Sequence, residues 1–407
     1  MRIHLPDYVL EAIRRLENRG HEAYVVGGCV RDSLLGRKAL DFDLATSALP
    51  EMTREAFAGY PTIDTGIKHG TLTVLIDHHP LEITTYRTDG TYSDARHPDQ
   101  VTFVRSIRED LARRDFTCNA MAYHPDTGLY DPFSGQKDLK NKLLRAVGTP
   151  EKRFREDALR ILRGLRFSGQ LGFDIEPLTL KAMVSIKGRL NLVAVERIAK
   201  EVNLLLLGDY ADQALRKAPE ILLCVLPELA ESGSWQTGLD LFSHLKKDLP
   251  QRWAALFLEP GADAAQAALN RIKQPRALCE ESVLLLNHLG DDIETGNLRL
   301  LISRLGYQTA QKLLQLTRAV FLLKGQADKA SGMERLEKEL TCLREEGIDL
   351  SLKGLSVTGR DLLDLGYPEG EQLGQALSRL LELALTGQIP NQREDLLKKA
   401  ALWLKNN

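Results

Sequence analysis

Two aspartates separated by one residue, in Leu40-Asp41-Phe42-Asp43-Leu44, carry the most explicit chemistry in the sequence. On a strand, alternate side chains share a face, so Asp41 and Asp43 project together, about 7 Å apart over two rises, while Phe42 and Leu44 turn inward. Such a pair suits a hard cation, because Mg²⁺ takes oxygen ligands and is commonly held by one or two carboxylates plus substrate phosphates. A charged surface turn would show the same spacing. Glu82, in Leu81-Glu82-Ile83-Thr84, is either a third acid for that centre or an ordinary solvent-facing strand residue.

A phosphate partner for the acids lies upstream. Gly27-Gly28-Cys29-Val30-Arg31 places a glycine pair between an apolar strand and the start of a helix. Glycine lets backbone N–H groups approach an anion closely, and an arginine a few residues on can fork onto phosphate oxygens. With Asp41, Asp43 and Glu82, these features describe a triphosphate site built around two metal ions. One ion would activate an attacking hydroxyl, and the other would steady the departing pyrophosphate.

Glu156-Asp157-Ala158-Leu159-Arg160-Ile161-Leu162-Arg163-Gly164-Leu165-Arg166-Phe167 has a third kind of regularity. On one continuous helix, Ala158, Ile161, Leu162 and Leu165 form an apolar stripe. Asp157, Arg160, Arg163 and Arg166 then fall three apart on the remaining arc. Either they form a ladder of surface ion pairs, or they present a surface that reads a ligand. Three arginines without a lysine favour the second, since a planar guanidinium matches phosphates and base edges.

These residues require a scaffold of two kinds. Residues 7–20 form an amphipathic helix with Tyr8, Val9, Ala12, Ile13 and Leu16 on its apolar face, ended by Gly20. Strands are expected over 21–26, 42–44, 71–76 and 81–86, with a helix starting at Pro50. At Thr149-Pro150-Glu151 the character changes: Thr149 suits an N-cap, Pro150 the first helical position, and residues 149–407 read as almost wholly helical. At 407 residues the chain exceeds one compact core. The expected fold is an α/β head with a small mixed β-sheet and helices, followed by an all-α neck, body and tail. The expected boundaries are 1–147, 148–210, 211–330 and 331–407.

The net charge of −2 supplies no global attraction for polyanions, so any nucleic-acid site must be local. Five scattered cysteines without a C-x-x-C spacing fit reduced thiols in a cytoplasm. No signal peptide or membrane span is expected, and no protein partner is implied.

Taken in order, VVGGCVRD, LDFDLAT, LARRDFTCNAMAYH, LYDPFSGQKDL and REDALRILRGLRF resemble the tRNA nucleotidyltransferase and poly(A) polymerase family. Within it the chain is most similar to the second class of bacterial CCA-adding enzymes. The resemblance is dense from about residue 20 to 205, and thinner beyond. It implies a head with the nucleotidyltransferase fold and addition of C, C and A to tRNA 3′ ends from CTP and ATP, with Mg²⁺. CC-only or A-only addition and poly(A) synthesis remain as alternatives, and a small-molecule nucleotidyltransferase is a more distant one.

Residue by residue, the resemblance puts the metals on Asp41 and Asp43, with Glu82 as the third acid. It sets Gly28 and Arg31 against the triphosphate, Arg114 on a phosphate, and Asp115 on the ribose 2′-hydroxyl. By its residues alone, Arg113-Arg114-Asp115 is equally a charged helix end. Base reading falls to Asp157 and Arg160, with Arg163 and Arg166 on the nucleotide phosphates or the primer end. That assignment has a physical basis. Cytosine and adenine present an amine donor beside a ring-nitrogen acceptor, which suits a carboxylate with an arginine, whereas uracil and guanine present the reverse. Leaving such groups buried and unpaired costs about 1–3 kcal/mol each.

The polar stretch over 86–99 matches a flexible loop that the family associates with the switch from C to A. Its full length here favours complete CCA synthesis. Basic clusters such as Lys187-Gly188-Arg189, Lys246-Lys247 and Lys398-Lys399 are either solvated faces or phosphate contacts. The resemblance lays the acceptor end and elbow of tRNA along the helical body.

Overall fold

The structure, a computed structural model, describes residues 3–39, 41–89, 101–231, 234–289 and 297–405. Contacts divide the chain into two units: Met1–Pro227 with Arg271–Lys273, and Glu228–Asn270 with Gln274–Asn407.

The first unit opens with α1 (Asp7–Glu17), whose Val9, Ala12, Ile13 and Leu16 are buried as their spacing requires. In chain order follow β1 (Ala23–Val26), α2 (Gly28–Leu34), β2 (Asp43–Thr46), α3 (Pro50–Ala56), β3 (Thr62–Gly66), β4 (Thr71–Ile76) and β5 (His79–Thr85). Next come β6 (Arg87–Asp89), β7 (Val101–Phe103), α4 (Ile107–Ala112), β8 (Ala122–His124), β9 (Gly128–Tyr130) and α5 (Gly135–Lys140). Seven strands form one sheet in the order β3-β4-β5-β2-β1-β8-β9. Of its six pairings only β2 with β5 is parallel, so the sheet is mixed, as expected.

The four expected strands are present, and β3, β8 and β9 join them. The additions carry little alternation: Ala122, Tyr123 and His124 are all buried, and Thr62–Gly66 is mostly polar. Strands β6 and β7 pair with each other. Residues 90–100, the greater part of the expected flexible loop, lie outside the described residues.

Two corrections concern the motifs themselves. Asp41 precedes β2, which begins at Asp43, so the two acids do not share a regular strand. Their outward exposure nevertheless alternates with the burial of Phe42 and Leu44. The arginine segment is likewise not one helix. The chain runs through α6 (Pro150–Glu156), breaks at Asp157, and resumes in α7 (Leu159–Leu171). Asp157 is extended, with φ −138° and ψ 105°. Its Oδ1 accepts the Leu159 N–H at 3.0 Å, the kind of local bond that makes aspartate favour helix starts over helix interiors.

Thr149 does occupy the N-cap of α6, with Pro150 in its first turn. The neck continues through α8 (Pro177–Ile186) and α9 (Val195–Leu206). Helix α7 is packed almost all round, because Ile161, Leu162 and Leu165 are buried together with Arg160, Gly164 and Phe167. A Cβ at Gly164 would come within 3.1 Å of both Met183 and Phe116, so glycine permits the close approach of α7 to α8 and the head.

The second unit is built from helices, including Leu249–Leu256, Leu298–Leu323, Ala327–Glu345, Glu371–Leu385 and Arg393–Lys405. Helix Leu298–Leu323 bends at Gly306, which takes φ 75°. Leu355, Val357, Leu362, Leu380, Leu396 and Ala400 form a core near the chain end. No helix among the described residues is long and apolar enough to cross a membrane.

Candidate active site

The parallel pairing of β2 with β5 makes Asp43 and Glu82 register partners on adjacent strands. Both side chains point to the open face, while Leu44, Leu81 and Ile83 enter the core. Surrounding protein withdraws water from the Asp43 carboxyl, and the charges of Glu82 and Asp41 add repulsion. Against the pull of Arg114 these raise it to about 6. Among the described residues no three His, Cys, Asp or Glu side chains close around a point as a ready-made metal cage. Crowded oxygen donors with a raised carboxyl still fit a hard cation that completes its shell with phosphate oxygens.

Next to the acids, β1 ends at the Gly27–Gly28 turn. Gly27 has φ 82° and ψ −137°, a conformation only glycine adopts comfortably. A Cβ there would lie 3.1 Å from Arg114 Nη1 and 3.9 Å from Asp43 Oδ2, so this backbone, the arginine and the acid converge. Arg31, one turn into α2, is held by Asp32 through Nε and Nη2, both at 2.9 Å. Arg114 Nη2 donates to Asp110 Oδ2 at 3.2 Å, and its buried Nε has no partner. Arg113 grips Asp110 Oδ1 with Nε at 3.0 Å and Nη2 at 2.8 Å. Burial acts to raise the Asp110 carboxyl, but these two guanidiniums hold it below its ordinary value.

Asp115 has three hydrogen-bond donors within the protein. Its Oδ1 accepts from Phe116 N–H at 2.8 Å and Asn119 Nδ2 at 3.1 Å. Its Oδ2 accepts from Arg163 Nε at 2.8 Å, and Arg163 Nη2 lies 2.6 Å away as an ion-pair contact. Burial works upward on this carboxyl, yet the charges of Arg163 and Arg160 and the Asn119 bond hold it well below the usual range. A ribose hydroxyl would have to share Asp115 with these donors.

The three arginines of α7 are each committed differently. Arg160, only 8% exposed, donates through Nη1 to Glu156 Oε2 at 2.8 Å and to the Arg153 carbonyl at 3.1 Å. Its Nη2 donates to the Arg113 carbonyl at 3.0 Å. A guanidinium has five N–H groups, so donors remain for a ligand. Arg166 donates to Glu201 Oε2 at 2.6 Å and to Gln170 Oε1 at 3.1 Å. Asp157 Oδ2 accepts from Arg197 Nη2 at 3.2 Å, not from Arg160. The guanidiniums of Arg31, Arg163 and Arg166 surround the Phe167 ring at 5.1, 5.3 and 4.1 Å from its centroid.

The arginines are therefore legible in the sequence, and their acids are not. Asp110 carries a local signal, standing in α4 three and four residues before Arg113 and Arg114, which lie just past the helix end. Glu201 and Arg197 come from α9, and nothing near them in sequence announces their partners.

Residues 23–145 match the Poly A polymerase head domain, and residues 246–400 match tRNA nucleotidyltransferase domain 2. A CCA-adding enzyme of Levilactobacillus brevis is 38% identical, over 97% of this chain and 98% of its own length. One of Geobacillus thermodenitrificans is 37% identical, over 95% and 94%. The solved CCA-adding enzyme of Bacillus stearothermophilus in complex with CTP superposes with a TM-score of 0.82 at 31% identity, covering 98% of this chain and 97% of that one. With two full-length relatives, a solved counterpart and both halves of the chain matched, this protein belongs to the CCA-adding enzymes, the tRNA nucleotidyltransferases.

Proposed function

We propose that the chain adds C, C and A in turn to the 3′ end of tRNA in the cytoplasm, using CTP and ATP and releasing pyrophosphate, with no nucleic-acid template. The observation that carries the reading is the bond from Arg160 to the Arg113 carbonyl, which fastens the start of α7 behind the Arg113-Arg114-Asp115 segment. A nucleotide lying across that joint meets phosphate-binding groups from the head and base-reading groups from the neck.

Gly28, Arg31 and Arg114 hold the triphosphate through directed N–H groups. Asp41 and Asp43 would hold Mg²⁺, with Glu82 beside them; when bound, one or two such ions lower the pKa of the attacking 3′-hydroxyl and neutralise the leaving pyrophosphate. Asp157 accepts the exocyclic amine of cytosine or adenine, and Arg160 donates to the neighbouring ring nitrogen. For uracil and guanine the same pair opposes acceptor with acceptor and donor with donor. Arg163 and Arg166 act behind this pair, holding α7 against Asp115 and Glu201. Basic side chains of the helical body would follow the tRNA backbone by shape and charge.

The test is extension of tRNA lacking its 3′ CCA by purified protein with Mg²⁺ and with CTP and ATP supplied singly and together. A three-nucleotide product that needs both nucleotides supports the proposal. Two additions with CTP and none with ATP, addition of A alone, or long A tracts on generic RNA would each replace it with the corresponding narrower or different activity.

A further inference from the structure

Asn119 ends the short turn Thr117–Asn119, and only 6% of it is exposed. Its Oδ1 accepts from Arg31 Nη1 at 2.7 Å, and its Nδ2 donates to Asp115 Oδ1 at 3.1 Å. A guanidinium offers only donors and a carboxylate only acceptors, so a carboxamide in one orientation satisfies both. No carboxylate or hydrocarbon of that size does.

The turn that carries Asn119 is itself fixed. Thr117 Oγ1 donates to Asp138 Oδ2 at 2.7 Å. The Gly135 N–H donates to Asp131 Oδ1 at 2.7 Å, and a Cβ at Gly135 would fall 2.2 Å from the Thr117 carbonyl oxygen. The segment LYDPFSGQKDL thus clamps this turn.

Arg31 is held on three sides, by Asp32 in its own helix, by Asn119, and by the Phe167 ring of α7. Only Asn119 among these also touches Asp115, whose other oxygen takes Arg163. An unbroken line of bonds therefore runs from Arg31 through Asn119 and Asp115 to the neck.

We infer that Asn119 is a positioning residue that fixes the guanidinium of Arg31 for the incoming triphosphate while its amide keeps Asp115 turned toward Arg163. The inference rests on the reading of Arg31 as a triphosphate contact. It predicts behaviour that simple packing of a turn would not produce.

The experiment is steady-state CTP addition to tRNA lacking CCA, between pH 6 and 8, with thermal melting of each variant as a check on folding. Arg31→Ala and Asn119→Ala should each raise KM for CTP about tenfold, the scale of one lost charge-assisted bond, with a smaller change in kcat. The double variant should be little worse than Arg31→Ala alone. Asn119→Asp keeps the acceptor for Arg31 but sets a second carboxyl about 3 Å from Asp115, where both cannot readily be ionised. Its KM defect should shrink as pH falls, because a shared proton restores the donor, and the wild type should lack this trend.

Additive KM effects in the double variant, or a pH-independent Asn119→Asp defect, would overturn the role of Asn119. An unchanged KM in Arg31→Ala would instead overturn the triphosphate reading of Arg31 and the inference with it. Should Asn119→Ala melt below the assay temperature, the pH profile of Asn119→Asp decides.

Discussion

Arg163 holds Asp115 by an Nε hydrogen bond of 2.8 Å and an Nη2 ion-pair contact of 2.6 Å, and this pair ties the neck helix α7 to the head across 48 residues of sequence. The residue expected to face the ribose and a residue expected to face phosphate are here partners of each other. Each of these candidate site segments is therefore also part of the joint that brings the two regions together.

Removing Arg163 leaves the buried Asp115 charge with fewer donors. Arg163→Ala should lower the unfolding free energy of the first unit by roughly 3 kcal/mol, measured by urea denaturation. The pair also has a pH signature. Asp115 is held below its ordinary value, so its contribution is complete above the unfolded carboxyl value of about 3.9 and is lost as pH falls through the folded one. Wild type should therefore lose stability more steeply than Arg163→Ala below about pH 4.

Asp43 has the opposite sign. With its carboxyl at about 6, a proton competes with any cation for the same oxygens. Apparent Mg²⁺ affinity, and activity at limiting Mg²⁺, should rise by up to about tenfold per pH unit below pH 6 and level off above it. In the absence of metal, the folded state retains a proton that the unfolded chain releases. Stability should thus decline as pH rises from the ordinary carboxylate range through about 6. Asp43→Asn should remove that decline while abolishing nucleotide addition.

Asp157 combines two tasks, accepting the Leu159 N–H at the start of α7 and, in the proposed mechanism, reading the base. Asp157→Ala should cost about 1 kcal/mol of stability through the loss of that bond. It should also lower the preference for CTP over UTP by a factor corresponding to about 1–3 kcal/mol in relative kcat/KM. Arg197→Ala, which frees one Asp157 oxygen but spares the Leu159 bond, separates the two. It should leave thermal stability closer to wild type than Asp157→Ala does, and competition assays with mixed nucleotides should show a smaller loss of selectivity.

At Gly27 a single methyl group would intrude between Arg114 and Asp43. Gly27→Ala forces a side chain into a conformation suited to glycine, and its Cβ approaches Arg114 Nη1 to 3.1 Å. Strain of about 1–3 kcal/mol should appear in the melting curve. KM for CTP and ATP should rise together if, as proposed, the displaced groups face the triphosphate and not the base.

The head was readable because its apolar alternation is local: β1, β4 and β5 announce themselves in the sequence. Strand β8 does not, since burial on both faces erases alternation. The candidate residues Asp43, Glu82, Gly27 and Arg114 were legible as chemical types, and the parallel β2–β5 register supplies the neighbours. The break at Asp157 was harder to see. Helical periodicity continues smoothly through it, and only the competition of the Asp157 side chain for the Leu159 N–H ends one helix and starts the next. The acids opposite the arginines were hidden for a different reason, because ion-pair partners on separate helices leave no trace in spacing.

The cluster around Phe167 is, in sum, electrically balanced. Arg31 faces Asp32, Arg163 faces Asp115, and Arg166 faces Glu201, one anion for each cation. The cluster therefore presents N–H groups oriented and backed by carboxylates, with little long-range field. If Arg31 takes the triphosphate as proposed, few counterions need leave this balanced cluster, so nucleotide affinity should fall less steeply with salt than the number of arginines suggests. Discrimination is then a matter of donor direction, and it persists where a bare patch of positive charge would be screened.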